Sequence, residues 1–144
     1  MTTTINEVLT IIDNTIIPEK ISLLLPTRER PDSMQRVWKS AIDTADHPKY
    51  IEICFYIDND DLISIQEAKK MKVKYERVMY KVGPRIVLSQ CWNECYKIST
   101  GEILMQCGDD LIFRSNHWDT IVRNMFRKHE DRIMGASPSQ QGKE

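Results

Sequence analysis

Apolar positions along this chain follow two alternating rhythms. Short runs rich in apolar residues occur at 21–25 (ISLLL), 50–57 (YIEICFYI), 76–82 (ERVMYKV) and 102–107 (EILMQC). Runs of this length, bounded by Pro, Gly or clustered charge, predict strands buried on both faces of a sheet. Between them the spacing changes to the i, i+3, i+4, i+7 pattern of one helix face. Met34, Val37, Trp38, Ala41, Ile42 and Ala45 mark the first such face, and residues 63–72 predict a shorter helix. Leu88, Cys91, Trp92, Cys95 and Tyr96 mark a third helix, and Trp118, Ile121, Val122, Met125 and His129 a last one. IMGAS at 133–137 predicts a fifth strand.

Residues that start and stop elements support the same division. Pro26 is expected to end the first strand and Asp32 to cap the helix that follows. His47-Pro48 is expected to end that helix, Gly83-Pro84 to close the third strand and Thr100-Gly101 to stop the third helix. Ser115 or Asn116 is placed to cap the last helix, with LIFRS before it as a short extension. Strands alternating with helices predict an α/β fold, a mostly parallel sheet flanked by helices in three α/β/α layers. Ile5, Val8, Leu9, Ile12 and Ile16 also follow a helical period. Residues 1–19 are therefore expected to be a separate helical segment laid over the sheet, and residues 20–144 the main domain.

That topology has a chemical consequence. Right-handed crossovers put every strand-to-helix loop of a parallel sheet at its carboxyl edge, where ligands bind. Four loops converge there: PTRERPD, DNDD, GPR and GDD. Arg28, Arg30 and Arg85 thus share a rim with Asp58, Asp60, Asp61, Asp109 and Asp110. A rim of both signs suits an anionic ligand arriving with a divalent cation, Mg²⁺ or Mn²⁺ being the ions that carboxylates and diphosphates prefer.

The two acidic loops carry different weight. DNDD is equally well a solvated turn in which Asn and Asp form local backbone bonds. GDD follows a buried strand, and its adjacent carboxylates repel unless a cation compensates. Gly108 is expected to let the backbone turn sharply there, and the extended reading of LIF argues against a helix cap. No GxxxxGK(S/T) and no GxGxxG is present, so the common phosphate-loop and dinucleotide signatures are absent. His47, His117 and His129 fall at helix edges or surfaces, and the Cys and Ser residues have no His/Asp partner set.

Composition narrows the field further. The 144 residues suit one domain with a real core, and 20 Lys+Arg against 21 Asp+Glu leave no global field for nucleic acid or a membrane surface. No stretch reaches membrane-spanning length, and the first twenty residues lack the basic start and uninterrupted apolar core of a signal peptide. Cys54, Cys91, Cys95 and Cys107 all lie in apolar or helical contexts, as buried reduced thiols of a cytoplasmic protein do. Cys91 and Cys95 are four apart, but no second pair completes a zinc site.

The residues also resemble a known family. ISLLLPTRERPDSMQRVWKSA followed by IEICFYIDNDD is similar to the start of a family 2-type glycosyltransferase of the GT-A (Rossmann-like) fold, where one strand ends in P-T-x-x-R and the next in an Asp-rich turn. RIVLSQCWNECYKISTGEILMQCGDD resembles that family's helix, strand and acidic D-x-D-type signature, and the likeness covers about residues 20–137 in order and spacing. It implies a donor site for a nucleotide-diphosphate sugar, a UDP- or GDP-sugar first. Pro26, Thr27 and Arg28 would line the nucleotide pocket, with Arg30 on its rim. Asp58 would accept from the base and Asp60 would lie near the ribose. Arg85 and Asn93 match positions near the diphosphate or sugar. Asp109 and Asp110 would hold Mn²⁺ or Mg²⁺, with Asp110 alternatively meeting the ribose or sugar.

Two departures from the family pattern stand out. Cys107 occupies the first acidic position of the signature, so metal binding would rest on Asp109 and Asp110. The resemblance also implies an acceptor-binding half with a catalytic base, and no residue after GASPS is expected to supply that base. The chain is then expected to be a fragment lacking the C-terminal acceptor half, a minimal natural form, or a nucleotide-binding half completed by another subunit or a further copy. The implied activity is metal-dependent sugar transfer to an acceptor hydroxyl. A non-catalytic nucleotide-sugar-binding or assembly module is the alternative. A nucleotidyltransferase ranks below both, because PTRERP has no glycine where that class has a Gly-rich loop.

Overall fold

Ile21, Leu23 and Leu25 point to one face of strand β1 (Ile21–Thr27) and Leu24 to the other, and all four are buried. A strand apolar on both sides needs a layer on each, and the fold supplies them. The computed structural model describes residues 17–129 and the backbone of residues 134–135. Within them β2 (Ile51–Asp58), β3 (Val78–Gly83), β4 (Ile103–Gln106) and β5 (Met134–Gly135) join β1 in a parallel sheet of order β3-β2-β1-β4-β5. Helices α1 (Pro31–Thr44), α2 (Leu62–Lys74), α3 (Leu88–Ile98) and α4 (Trp118–Lys128) complete the three layers. The helix expected in the N-terminal segment falls on residues outside those described, except for 17–20, which are neither helix nor strand.

The sheet divides the core in two. On one face Leu23, Leu25, Ile53, Phe55, Ile57 and Met105 pack with Met34, Val37 and Trp38 of α1, Ala68 and Met71 of α2, and Trp118 and Val122 of α4. On the other, Leu24, Cys54 and Tyr56 pack with Cys91 and Cys95 of α3. Each large side chain buried this fully contributes roughly 1.5–3 kcal/mol.

Pro26 does not stop β1, which runs on to Thr27. It stops the neighbouring strand instead. Leu24 faces β4, its carbonyl accepting from the Cys107 amide at 2.9 Å. Two residues on, Pro26 faces the same side without an N–H to offer, so the ladder cannot continue past Cys107. β4 ends at Gln106 and the chain leaves as Gly108-Asp109-Asp110, a turn closed by the Leu111 amide on the Gly108 carbonyl at 3.2 Å.

Several expected element ends move. Pro31, not Asp32, opens α1: it sits in the first turn, where a missing N–H costs nothing, and no side chain caps the helix. α1 ends at Thr44, and His47-Pro48 begins a 3₁₀ turn, Pro48–Tyr50. The N-cap of α4 is His117 in a left-handed conformation (φ 66°), not Ser115 or Asn116. Residues 111–114, expected as a short strand extension, form none. Gly101 does not terminate α3, whose last residue is Ile98; a Cβ at Gly101 would lie 2.3 Å from Ser22 Oγ and 2.8 Å from the Lys20 carbonyl, so the residue is small because β1 passes against it.

α4 is also rotated from the expected face. Ile121 is exposed, whereas Asp119 and Arg123 are buried beside Trp118 and Val122. Asp119 accepts from the amides of Asp46 (2.8 Å) and His47 (2.9 Å) and from Arg123 Nη1 (2.6 Å), while Arg123 Nε donates to the Glu19 carbonyl (2.8 Å). A buried ion pair with this many bonds can occupy helix positions that an apolar pattern cannot foretell.

Candidate functional site

β1 outruns β4 by three residues, because the β4 pairing stops at Leu24 opposite Gln106 while β1 stays paired with β2 to Thr27 opposite Ile57. The notch opens into a cleft of about 370 Å³ at the carboxyl edge, walled on one side by α3 and the segment before it. Pro26, Thr27, Arg28, Asp58, Arg85 and Asp109 all line it, six of the residues expected at the site and drawn from all four strand-to-helix loops. Ile86, Leu88, Cys91, Trp92 and Tyr56 supply the apolar and aromatic wall. Helical periodicity assigns Leu88, Cys91 and Trp92 to packing alone. The period-two pattern Cys54, Tyr56, Asp58 was the signal that Tyr56 and Asp58 share a face.

Arg28 is paired with carboxylates on both sides of the Asn59 turn. Arg28 Nη1 donates to Asp58 Oδ2 at 2.7 Å and to Asp60 Oδ1 at 2.9 Å. This raises the pKa of the guanidinium, the Asp60 contact first, and holds the Asp60 carboxyl below the usual carboxylate range. Asp60 is exposed and reaches the cleft only through Arg28, and Arg30 Nη1 stands 3.5 Å from Asp109 Oδ1.

Asp61, expected on the rim but with no binding role, is the most deeply buried member of its loop. It caps α2, its Oδ1 accepting from the Ser64 amide at 3.3 Å, and its Oδ2 accepts from the Glu29 amide at 2.6 Å. Glu29 has φ 52°, a left-handed conformation that costs a non-glycine residue about 1 kcal/mol or more. The DNDD loop is therefore a helix-capping turn and a wall of the cleft at once.

The Gly-Asp-Asp turn also differs in one respect from expectation. Among the described residues no glycine has a positive φ, so Gly108 is not there for a left-handed turn. It gives room: a Cβ would lie 3.0 Å from Asp110 Oδ1. Asn93 is not brought to the cleft. It lines a neighbouring groove of about 520 Å³ with Pro84, Gln90 and Tyr96, and Tyr56 and Ile86 border both.

The family model for Glycosyl transferase family 2 matches residues 22–144. The chain belongs to that family. No curated protein sequence matches it significantly. Among solved structures, Staphylococcus aureus TarS residues 1–349 is similar at 18% identity and TM-score 0.58, over 77% of this chain and 33% of that one. The complex of the same TarS fragment with UDP gives 17% and 0.57, over 77% and 33%. The mannosyltransferase PcManGT from Pyrobaculum calidifontis, in complex with GDP-Man and Mn²⁺, gives 13% and 0.59, over 77% and 34%. At these identities the likeness establishes the GT-A fold, and the chain spans about a third of each of those structures.

For a family 2 domain the metal question turns on donor chemistry. Among the described residues no three His, Cys, Asp or Glu side chains cluster as a ready metal cage. Cys107, at the first signature position, is buried, its thiol directed at the Met105 carbonyl and its pKa pushed up to about 12 by burial. A neutral thiol is no ligand for a hard cation. Asp109 and Asp110 offer two carboxylates on one turn, which fits an ion that completes its shell with water and ligand oxygens. No helix among the described residues is long and apolar enough to cross a membrane.

Proposed function

We propose that this family 2 domain binds a nucleotide-diphosphate sugar in the cleft at the carboxyl edge of its sheet and serves as the donor-binding part of a glycosyltransferase. The observation that carries the reading is the convergence of Arg28, Asp58, Arg85 and Asp109, from four separate loops, on one cleft in a chain of this family. Similar structures hold UDP in one case and GDP-Man with Mn²⁺ in another. UDP- and GDP-sugars are therefore the first ligands to test.

In this reading the nucleoside lies between the β1 and β2 tips and the α3 wall, with Trp92 and Tyr56 offering aromatic surface and Asp58 an acceptor for a base N–H. Arg85 and Arg30 meet the negative charge of the diphosphate. Asp109 and Asp110 hold Mn²⁺ or Mg²⁺, which when bound neutralises charge on the departing nucleoside diphosphate. Once a diphosphate is present, Arg30 is free to leave Asp109 for it, since an exposed pair at 3.5 Å is weak. The acceptor hydroxyl and the base that deprotonates it lie beyond what these residues provide. A cytoplasmic setting belongs to the same proposal, because all four cysteines are free and buried.

Calorimetric titration of UDP, GDP and their sugars, with and without Mn²⁺, tests the proposal. Binding that needs the metal supports it, and binding without any sugar transfer favours the non-catalytic module. Absence of any nucleotide binding rejects the donor-site reading.

A further inference from the structure

We infer that Asp61 is a positioning residue of the donor cleft: through the Glu29 amide it holds the turn that sends Arg28 and Arg30 to opposite sides. The inference rests on the donor-site reading for its functional consequence, but its structural core stands on the fold alone.

In an extended chain residues i and i+2 point the same way. Arg28 and Arg30 do not: Arg28 reaches across to Asp58 and Asp60 on the β2 side, and Arg30 reaches Asp109 on the β4 side. The residue between them, Glu29, has φ 52°, and that reversal is what splits the two cations. Nothing in the Glu29 side chain calls for the conformation. It is exposed, and its nearest charged partner is Arg28 at 4.0 Å. The backbone is held instead by Asp61 Oδ2, 2.6 Å from the Glu29 amide. Asp61 is 2% exposed and is itself fixed, because its other oxygen caps α2 and its own amide donates to the Asp58 carbonyl at 3.0 Å. The neighbouring Asn59 amide is pinned to the Gly83 carbonyl at 2.7 Å. The hydrogen-bonded loop at the end of β2 thus dictates the shape of the charged loop at the end of β1.

The two duties of Asp61 can be separated. Serine is a good N-cap but too short to reach Glu29 as well, so Asp61→Ser keeps the cap and releases the turn. Glycine adopts a positive φ without an anchor, so Glu29→Gly added to Asp61→Ser should restore the turn. Three readouts decide the matter: hydrogen exchange of the Glu29 amide, thermal unfolding, and titration with UDP and GDP in the presence of Mn²⁺. We expect the wild-type Glu29 amide to be protected and the Asp61→Ser amide to exchange fast. We expect the bound nucleotide to be held about tenfold more weakly in Asp61→Ser, with most of that loss recovered in the double variant. Should Asp61→Ser fail to fold, Asp61→Thr serves in its place, since its hydroxyl caps the helix and is likewise too short to reach Glu29. A Glu29 amide that stays protected in the variant overturns the inference, as does undiminished nucleotide affinity or a loss that Glu29→Gly does not repair. If wild-type protein binds neither nucleotide, the donor-site reading fails, and the amide exchange still decides whether Asp61 holds the turn.

Discussion

Arg28 Nη1 lies 2.7 Å from Asp58 Oδ2, an ion pair joining the tips of β1 and β2 one residue beyond their last paired positions, Thr27 and Ile57. The same nitrogen also holds Asp60, so one guanidinium keeps two carboxylates of the loop after β2 from repelling each other. Arg28→Ala should therefore disorder the acidic loop locally and weaken nucleotide binding by about tenfold or more. Arg28→Lys should recover only part of it, because an ammonium lacks the second nitrogen, Nη2, that also donates to Asp60 Oδ2 at 3.4 Å. Calorimetry on the two variants measures the difference.

The Gly-Asp-Asp turn gives a second prediction. Asp109→Ala combined with Asp110→Ala should abolish the Mn²⁺-dependent share of nucleotide binding, with a change in melting temperature of no more than about 2 °C. Asp109 is only partly buried and Asp110 exposed, and the one ion pair lost, with Arg30, is of the weak exposed kind. Titration with and without the metal, beside a thermal scan, separates the two effects.

At the opposite edge of the sheet, Glu52 makes stability depend on pH. It is 2% exposed and accepts from Ser22 Oγ (2.6 Å), the Thr100 amide (2.5 Å) and Thr100 Oγ1 (2.8 Å), with Lys20 Nζ at 3.1 Å. Burial alone would raise its pKa, but these bonds outweigh burial and hold it below its ordinary 4.5. A carboxyl whose pKa is lowered by folding stabilises above its unfolded value, and that contribution is lost as pH falls through the folded one. Glu52→Gln should cost about 2–4 kcal/mol near neutral pH and flatten the stability profile below pH 4.5. Urea unfolding across that pH range tests both statements.

Gly101 packs against the same clamp. Gly101→Ala places a methyl 2.3 Å from Ser22 Oγ and 2.8 Å from backbone, so chemical denaturation should show a loss of about 1–3 kcal/mol. Nucleotide affinity should stay unchanged, because the strain lies at the far end of the strands.

The strands and their alternation with helices were legible in the sequence because β1 and β2 are runs apolar on both faces, which a covered parallel sheet accommodates. The cleft was legible to the same degree, since topology alone sends four loops to one edge. What escaped was geometry set by single contacts distant in sequence. Asp61 meets Glu29 across thirty-two positions through a side chain to backbone bond, and no pattern of residue types announces it. Asn93 lines a neighbouring groove that shares Tyr56 and Ile86 with the cleft, and the rotation of α4 follows from Asp119 finding two amides near His47.

Pro26 sits where β1 changes character, an interior strand at its base and an exposed border at its tip. A border strand with free amides invites any passing backbone to zip onto it, and a zipped notch would leave no opening for a ligand. By withholding one N–H at that point, the chain protects its own opening from being sealed by sheet growth. The opening beside β1 is thus kept by covalent structure.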